Sequence, residues 1–267
     1  MPELCEVEII CRFLKKKFVG QRIVHVEVLD PTLRYPVREN YAQCLEGGII
    51  CDIMRHGKYL VWKLQHALCK EVLFHLGMTG RLLEHTNGLG TKHLKIFYVF
   101  NSHKLYFYDV RRFAFTLAGE DLLQESKLGP DALSIGKRQF HKLFHSSRAV
   151  KDLLLQQEKI AGIGNIYANE ILFAAGIHPE QKANTLNEEQ IEKLYYAMRS
   201  VLHKAIKKGG STISDFYYGP GKKGGYQNHF LVYQRENEPC RLCHSPLERT
   251  KQAGRSTYFC PRCQKKP

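Results

Sequence analysis

Apolar side chains fall on one helical face from the fourth residue onward: Leu4, Val7, Ile10 with Cys11, Leu14 and Phe18 recur at three- and four-residue spacing. Glu3, Glu6 and Glu8 open this segment and Lys15–Lys17 close it, the charge order that suits a helix dipole, and Gly20 is placed to stop it. After Gly20 the period shortens. Ile23–Val28, Ile49–Met54, Tyr59–Leu64, Val72–Leu76, Leu94–Phe100 and Leu105–Asp109 are short runs rich in Val, Ile, Tyr and Phe. Gly, Asn or His-Gly turns separate them, which predicts an antiparallel sandwich. The texture changes around Ser126–Pro130, and residues 137–209 read as helical, with Gly209-Gly210 as the final stop. Strands first and helices later predict an α+β chain of two domains, followed by a Gly- and Tyr-rich stretch, Tyr217–Tyr226, and a cysteine-rich end. No internal repeat or low-complexity tract is visible.

Composition narrows the partner. The 267 residues are 43% hydrophobic, enough for two cores, and carry a net charge of +14 spread along the whole chain. An excess of that size favours a polyanion over a merely solvated surface. An acidic membrane is the competing partner, but no stretch has the length or apolar purity of a membrane-spanning helix. Glu3, Glu6 and Glu8 stand where a secretory leader carries cations, so the expected address is the cytosol, or the nucleus of a eukaryotic source.

Nine cysteines are present. Cys5, Cys11, Cys44, Cys51 and Cys69 are scattered through the first quarter and read as reduced thiols. Cys240-x2-Cys243 and Cys260-x2-Cys263, sixteen residues apart, have the spacing of a zinc ribbon. Two disulfides are the alternative, disfavoured without secretion. Four thiolates would close the metal's coordination shell, so the zinc would be structural.

The second residue carries candidate chemistry. Methionine is trimmed ahead of a small residue, so Pro2 is expected to become a free secondary amine with a carboxylate, Glu3, beside it. An α-amine titrates at roughly 7.7–8.0 and keeps an unprotonated fraction near neutrality, enough to attack an aldehyde-like carbon and form a Schiff base. A ragged terminus is the plainer reading. Further along, Arg55-His-Gly-Lys58-Tyr59 forms a basic turn, and Gly162-Ile-Gly-Asn165 opens a helix whose N–H groups suit a phosphate, with Asn165 as a candidate cap. His75-Leu-Gly-Met78-Thr-Gly80 and Asp109-Val-Arg111-Arg-Phe113 place an apolar wedge and cations on loops. Such wedges unstack bases and fill the gap left by an extruded one; burial between strands is the alternative for Met78 and Phe113.

Taken together and in this order, MPEL-EVE, RHGKYL, HLGMTG, DVRRF, GIGNIYANEILFAAGIHP and GRSTYFCPRCQ closely resemble the bacterial formamidopyrimidine-DNA glycosylase family, over essentially the full length. The resemblance implies an N-terminal helix and β-sandwich over residues 1–130. It implies a helix–two-turns–helix domain over 131–228 and a zinc-finger β-hairpin over 229–267, with DNA in the cleft between domains. It implies a base-excision-repair enzyme that removes 8-oxoguanine and formamidopyrimidines and then cleaves the strand by β- and δ-elimination. Pro2 would be the nucleophile at C1′, Glu3 the proton donor to the sugar ring oxygen, and Lys58 the holder of the flanking phosphate. Arg255 would serve phosphate contact and the second elimination. Met78, Arg111 and Phe113 would intercalate, with Arg111 facing the orphaned cytosine, while Lys151 and Asn165 would grip backbone. A loop around Ser214–Gly225 would close over the flipped base. One structural zinc on Cys240, Cys243, Cys260 and Cys263, double-stranded damaged DNA as partner, a monomeric state and a cytoplasmic, nucleoid-associated address complete the expectation.

Three positions depart from the family pattern. Cys5 stands where the family usually has Pro, a residue that pre-sets the first helical turn. Thr91 replaces a His used near DNA. Gly219-Pro-Gly-Lys-Lys-Gly-Gly225 replaces the usual Asp-Gly-Lys-Pro-Gly. Leu4 and the HLGMTG and RRF patterns side with the purine-directed branch against the related pyrimidine-directed one. A zinc-ribbon protein that binds damage without cutting is the competing reading, and it has no use for Pro2-Glu3 at a mature end.

Overall fold

The computed structural model describes residues 2–86, 88–211 and 224–266. They form two compact units: residues 2–127 with 209–211 and 224–225, and residues 128–208 with 226–266.

The first unit begins with α1 (Leu4–Phe18), β1 (Ile23–Val28), α2 (Tyr41–Leu45), β2 (Ile49–His56), β3 (Tyr59–Gln65) and β4 (Glu71–His75). It continues through β5 (Arg81–Leu83), β6 (Leu94–Phe100), β7 (Lys104–Tyr108), β8 (Phe115–Gly119) and the single turn α3 (Leu122–Glu125). Two four-stranded sheets run β1-β6-β7-β5 and β2-β3-β4-β8, and every pairing is antiparallel. This is the sandwich that the period-two runs predict. One sheet supplies Ile53, Leu60, Trp62 and Phe74 to a shared core and the other Val26, Tyr98 and Phe107, while α1 adds Val7, Ile10, Leu14 and Phe18. The Trp62 ring packs on Phe74 at 4.7 Å and reaches Tyr98 of the opposite sheet at 5.3 Å. Each fully buried side chain of this size contributes about 1.5–3 kcal/mol.

Four short elements of this unit go beyond the sequence pattern: α2, β5, β8 and α3. Tertiary bonding explains α2. The buried Tyr41 hydroxyl meets Tyr98 of β6 at 2.9 Å and Thr116 of β8 at 2.8 Å, so one phenol ties both sheets to a helix of five residues.

The second unit contains α4 (Lys137–His141), a 3-10 turn at Lys142–His145, α5 (Val150–Leu155), α6 (Asn165–Ala175), α7 (Glu188–Lys207) and the hairpin β9 (Glu248–Gln252) and β10 (Arg255–Phe259). Asn187 and Gln190 form a reciprocal capping box at the start of α7. Gly209 and Gly210, both at positive φ, follow its end. α6 packs along α7 and buries Ile166, Tyr167, Ile171 and Leu172. The glutamate that α6 also buries, Glu170, accepts the backbone N–H groups of Leu231, Val232 and Tyr233 at 2.8–2.9 Å. Burial raises its pKa. Among the described residues, no helix is long and apolar enough to cross a membrane.

Candidate functional site

Pro2 is buried, and Glu3, also buried, is the N-cap of α1. Glu3 and Glu6 form a capping box, with the Glu3 N–H donating to Glu6 Oε2 at 2.8 Å. The other oxygen of Glu6 accepts from the Ser211 N–H at 2.7 Å and from its hydroxyl at 3.1 Å. Gly210 (φ +73°) lies against this carboxylate so closely that a Cβ would stand 2.9 Å from Glu6 Oε1. A Cβ on Gly224 would collide with the Gly210 carbonyl. Glu6 therefore joins Glu3 to the point where 210 and 224 meet, a role that helical spacing alone does not reveal. Most of the expected capping loop, 214–223, lies outside the described residues. The unusual Cys5 is fully buried, and α1 starts at Leu4 without the proline.

β2 and β3 pair up to His56 opposite Tyr59, leaving Gly57 (φ +58°) and Lys58 as a two-residue hairpin tip. Lys58 is 9% exposed, so the fold buries most of this turn lysine rather than leaving it in solvent. Arg55 anchors the tip: its Nε donates to Glu8 Oε2 of α1 at 2.7 Å and its Nη1 to the Gly57 carbonyl at 3.0 Å. Burial alone raises the Glu8 carboxyl, but hydrogen bonds from Arg55 and Arg12 outweigh it and leave its pKa lowered. One helix thus fixes both Glu3 and the Lys58 turn. His75, at the end of β4, stacks on Phe115 at 5.3 Å and lies 5.0 Å from Tyr59. Burial, then the charges of Lys58 and Arg34, push its pKa down to about 4. Its Nδ1 accepts the Gly77 N–H at 3.2 Å, so the neutral ring carries its proton on Nε2.

Met78 and Phe113 are exposed, 38% and 44%, which excludes the inter-strand core for both. The Arg111 guanidinium lies over the Phe113 ring at 5.2 Å. Their two loops are locked together by a buried carboxylate. Asp109 accepts from the Thr79 hydroxyl at 2.5 Å and from the Ala114 N–H at 2.8 Å, and the Arg111 N–H reaches Thr79 Oγ1 at 3.1 Å. The glycines of the HLGMTG motif permit this approach: a Cβ on Gly77 would strike the Phe113 backbone, and one on Gly80 would lie 2.9 Å from Ala114 Cβ. Thr91 is exposed in the connection between β5 and β6.

In the second unit Asn165 is not the cap of α6. Gly164 occupies the cap position, and the Asn165 amide instead donates to the Ser256 carbonyl at 3.0 Å. Its Oδ1 is buried and accepts no hydrogen bond among the described residues. Lys151 is fully buried, and its ammonium donates to the Ser256 carbonyl at 3.1 Å and to Thr257 Oγ1 at 2.7 Å. Asn169 Oδ1 takes the Tyr258 N–H at 2.8 Å. These three side chains hold β10 from behind. In front, Ala253 (φ +45°) and Gly254 (φ +77°) form the turn, and Arg255 is exposed at the tip opposite Gln252. Gln157 supports the Gly162-Ile-Gly turn by accepting from the Gly162 N–H and donating to the Ile163 carbonyl, both at 2.9 Å.

The sulfurs of Cys240, Cys243, Cys260 and Cys263 all lie within 4.8 Å of one another. The Cys240–Cys263 and Cys243–Cys260 separations of 3.9 and 3.4 Å are far longer than a disulfide's roughly 2.05 Å. They bracket the ~3.8 Å edge of a tetrahedron with zinc–sulfur bonds near 2.3 Å. Backbone N–H groups of Leu242 and Cys263 donate to the sulfurs of Cys240 and Cys260 at 3.4 Å, as thiolates require. Backbone and hydroxyl donors of Ser245 lower the Cys243 thiol to about 6.

Residues 1–116 match the family model of the formamidopyrimidine-DNA glycosylase N-terminal domain, 128–217 that of its H2TH domain, and 237–266 the zinc finger found in FPG and IleRS. A formamidopyrimidine-DNA glycosylase of Gluconobacter oxydans is 39% identical over 99% of this chain and its own full length. The crystal structure of the MutM (Fpg) protein of Thermus thermophilus superposes with a TM-score of 0.87 at 39% identity, both chains covered completely. Lactococcus lactis Fpg in complex with abasic-site DNA, and a mutant of it with Fapy-dG-containing DNA, give 0.88 and 0.89 at 35% and 34% identity over 99% of this chain and all of theirs. The ligand geometry and the finger match agree: the four cysteines hold one structural zinc.

Proposed function

The chain belongs to the formamidopyrimidine-DNA glycosylase family, and on that premise we propose how its residues divide the work. It is a DNA glycosylase with lyase activity, directed at oxidised purines in base excision repair. Pro2, freed by loss of Met1, attacks C1′ of the damaged nucleotide; the bond to the base breaks and an iminium links protein to sugar. Glu3 supplies the proton to the ring oxygen. Lys58 holds the flanking phosphate, and the adjacent neutral His75 offers an uncharged Nε2–H donor to the same backbone. β- and then δ-elimination cleave the strand on both sides of the sugar, with Arg255 serving the second step.

Met78 and Phe113 enter the stack as wedges, and Arg111 faces the orphaned cytosine. Asn165 carries a buried acceptor and holds the Ser256 carbonyl, and Lys151 acts on DNA through the hairpin that it supports. Both units then contact duplex DNA, the protein works as a monomer in the bacterial cytoplasm at the nucleoid, and binding weakens steeply with salt. Zinc, when bound, keeps the finger folded and takes no part in bond making.

The observation that supports this reading most is the burial of Pro2 and Glu3 at the start of α1. A chain end without a role is ordinarily exposed and loosely held; here Glu6 and Glu8 bind the same helix to Ser211 and to Arg55. The test is borohydride trapping on a duplex carrying 8-oxoguanine opposite cytosine. The expected result is a covalent adduct whose peptide maps to Pro2. Tight binding with no adduct and an intact strand would instead mean a damage binder, and an adduct only with an oxidised pyrimidine would move the chain to the other branch.

A further inference from the structure

Five cysteines lie outside the zinc site, and two of them face each other. Cys44 sits in α2 and Cys69 in the turn between β3 and β4. The Cys69 N–H donates to the Cys44 carbonyl at 3.2 Å, which brings the two residues side by side. A direct backbone bond between two residues limits their Cα separation to roughly 7 Å at most, by summing the bonds on either side. Disulfides need 4.4–6.8 Å by general geometry. Both thiols are partly exposed, so a small oxidant reaches them. The other three differ: Cys5 and Cys11 are buried, Cys11 donating to the Ile53 carbonyl, and Cys51 is exposed.

We propose that Cys44 and Cys69 form a reversible intramolecular disulfide on exposure to hydrogen peroxide. One thiolate attacks a peroxide oxygen and becomes a sulfenic acid, releasing hydroxide that is protonated to water. The partner thiolate then attacks that sulfur and displaces a second hydroxide. The balance is two thiols and one peroxide to one disulfide and two waters: the sulfurs lose two electrons and the peroxide gains them. Burial and the neighbouring Cys44 thiol push the Cys69 thiol up to about 11, so that sulfur rests protonated at neutral pH.

The placement says what the crosslink does. Cys44 precedes β2 and Cys69 follows β3, so the bond closes a covalent ring around that hairpin at its open end. Lys58 lies at the opposite end, beyond the His56–Tyr59 pair. Oxidation therefore staples the hairpin without moving its tip, and it shelters both sulfurs from over-oxidation to sulfinic acid.

The test treats the zinc-loaded full chain with dilute peroxide, blocks remaining thiols by alkylation and maps peptides without reduction. A Cys44–Cys69 linked peptide is expected, with an intact mass about 2 Da lower. Dithiothreitol should reverse it, zinc should be retained, and Tm should rise by about 4 °C or more. Cys44→Ser and Cys69→Ser should each abolish the linked peptide and the Tm shift, while Cys51→Ser keeps both. Separate sulfinic or alkylated forms of Cys44 and Cys69 with no linked peptide would overturn the proposal. So would a crosslink confined to Cys51 or the zinc ligands. Should one serine variant not fold, the other still decides.

Discussion

The two β-hairpins that present candidate cations, Lys58 and Arg255, are built on opposite principles. The hairpin of β2 and β3 is one edge of the sandwich, with Ile50, Ile53, Leu60 and Trp62 in the core, and it needs no special device to stay folded. The hairpin of β9 and β10 buries one strand only: Thr257, Tyr258 and Phe259 of β10 are buried, Tyr258 in a small cluster with Phe173, Val232 and Leu247. All five positions of β9 face solvent fully or in part. Its order also depends on polar groups behind it, Lys151, Asn165 and Asn169, and on four thiolates at its base. Hydrophobic burial alone fixes a tip within a large core; a small module with a small cluster must add metal and buried donors.

The comparison breaks most sharply if zinc is removed. Cys240→Ser, or chelation of the wild type, should open the finger and weaken DNA binding by more than about 100-fold while the sandwich melts unchanged. Full affinity in a metal-free protein, read by fluorescence anisotropy, would remove the finger from the interface. Next in size is Lys151→Met, which keeps the stem and deletes the ammonium. Two acceptors lose a buried donor at a cost of about 3 kcal/mol, and the δ-elimination product should fall more than the β product. Equal loss of both on a denaturing gel would mean that Lys151 does not act through Arg255.

On the sandwich side the largest expected effect is of similar size and depends on pH. His75 titrates near 4 in the folded chain against 6.5 in the unfolded one. As pH falls through 6.5 the unfolded chain takes a proton that the folded chain refuses until about 4. Stability is therefore steady above 6.5 and declines by about 3 kcal/mol across that window. His75→Phe should flatten the decline in urea titrations between pH 7 and 4; an unaltered slope would place the acid sensitivity elsewhere. Smallest is Thr79→Val, which removes the hydroxyl bonded to Asp109 and costs about 1–2 kcal/mol. If that bond keeps the Met78 and Phe113 loops in one arrangement, discrimination between cytosine and adenine opposite the lesion should fall with it. Thr79→Ser should restore both readouts.

Much of this architecture is legible in periodicity. α1 spans the residues that its apolar face marks, and the six long strands lie where Val, Ile, Tyr and Phe alternate. What escapes is short or distant. β5 has three residues, and α2 exists because Tyr41 reaches hydroxyls 57 and 75 positions away. Glu8 to Arg55 spans 47 positions and Glu6 to Ser211 spans 205, so no local window shows that these acids brace a site rather than merely start a helix. Asn165 has the look of a cap, yet the preceding glycine takes that position because the asparagine is drawn to the hairpin carbonyl. The zinc ligands are the opposite case, since their spacing alone carries the chemistry.

The glycine contact beside Glu6 has a consequence of another kind. At 210 and 224 the backbone nearly touches itself, so even one methyl group at 224 would push the two passes of the chain apart, and one at 210 would crowd the Glu6 carboxylate. Through Glu6, a change at either glycine would be felt at the N-cap of α1.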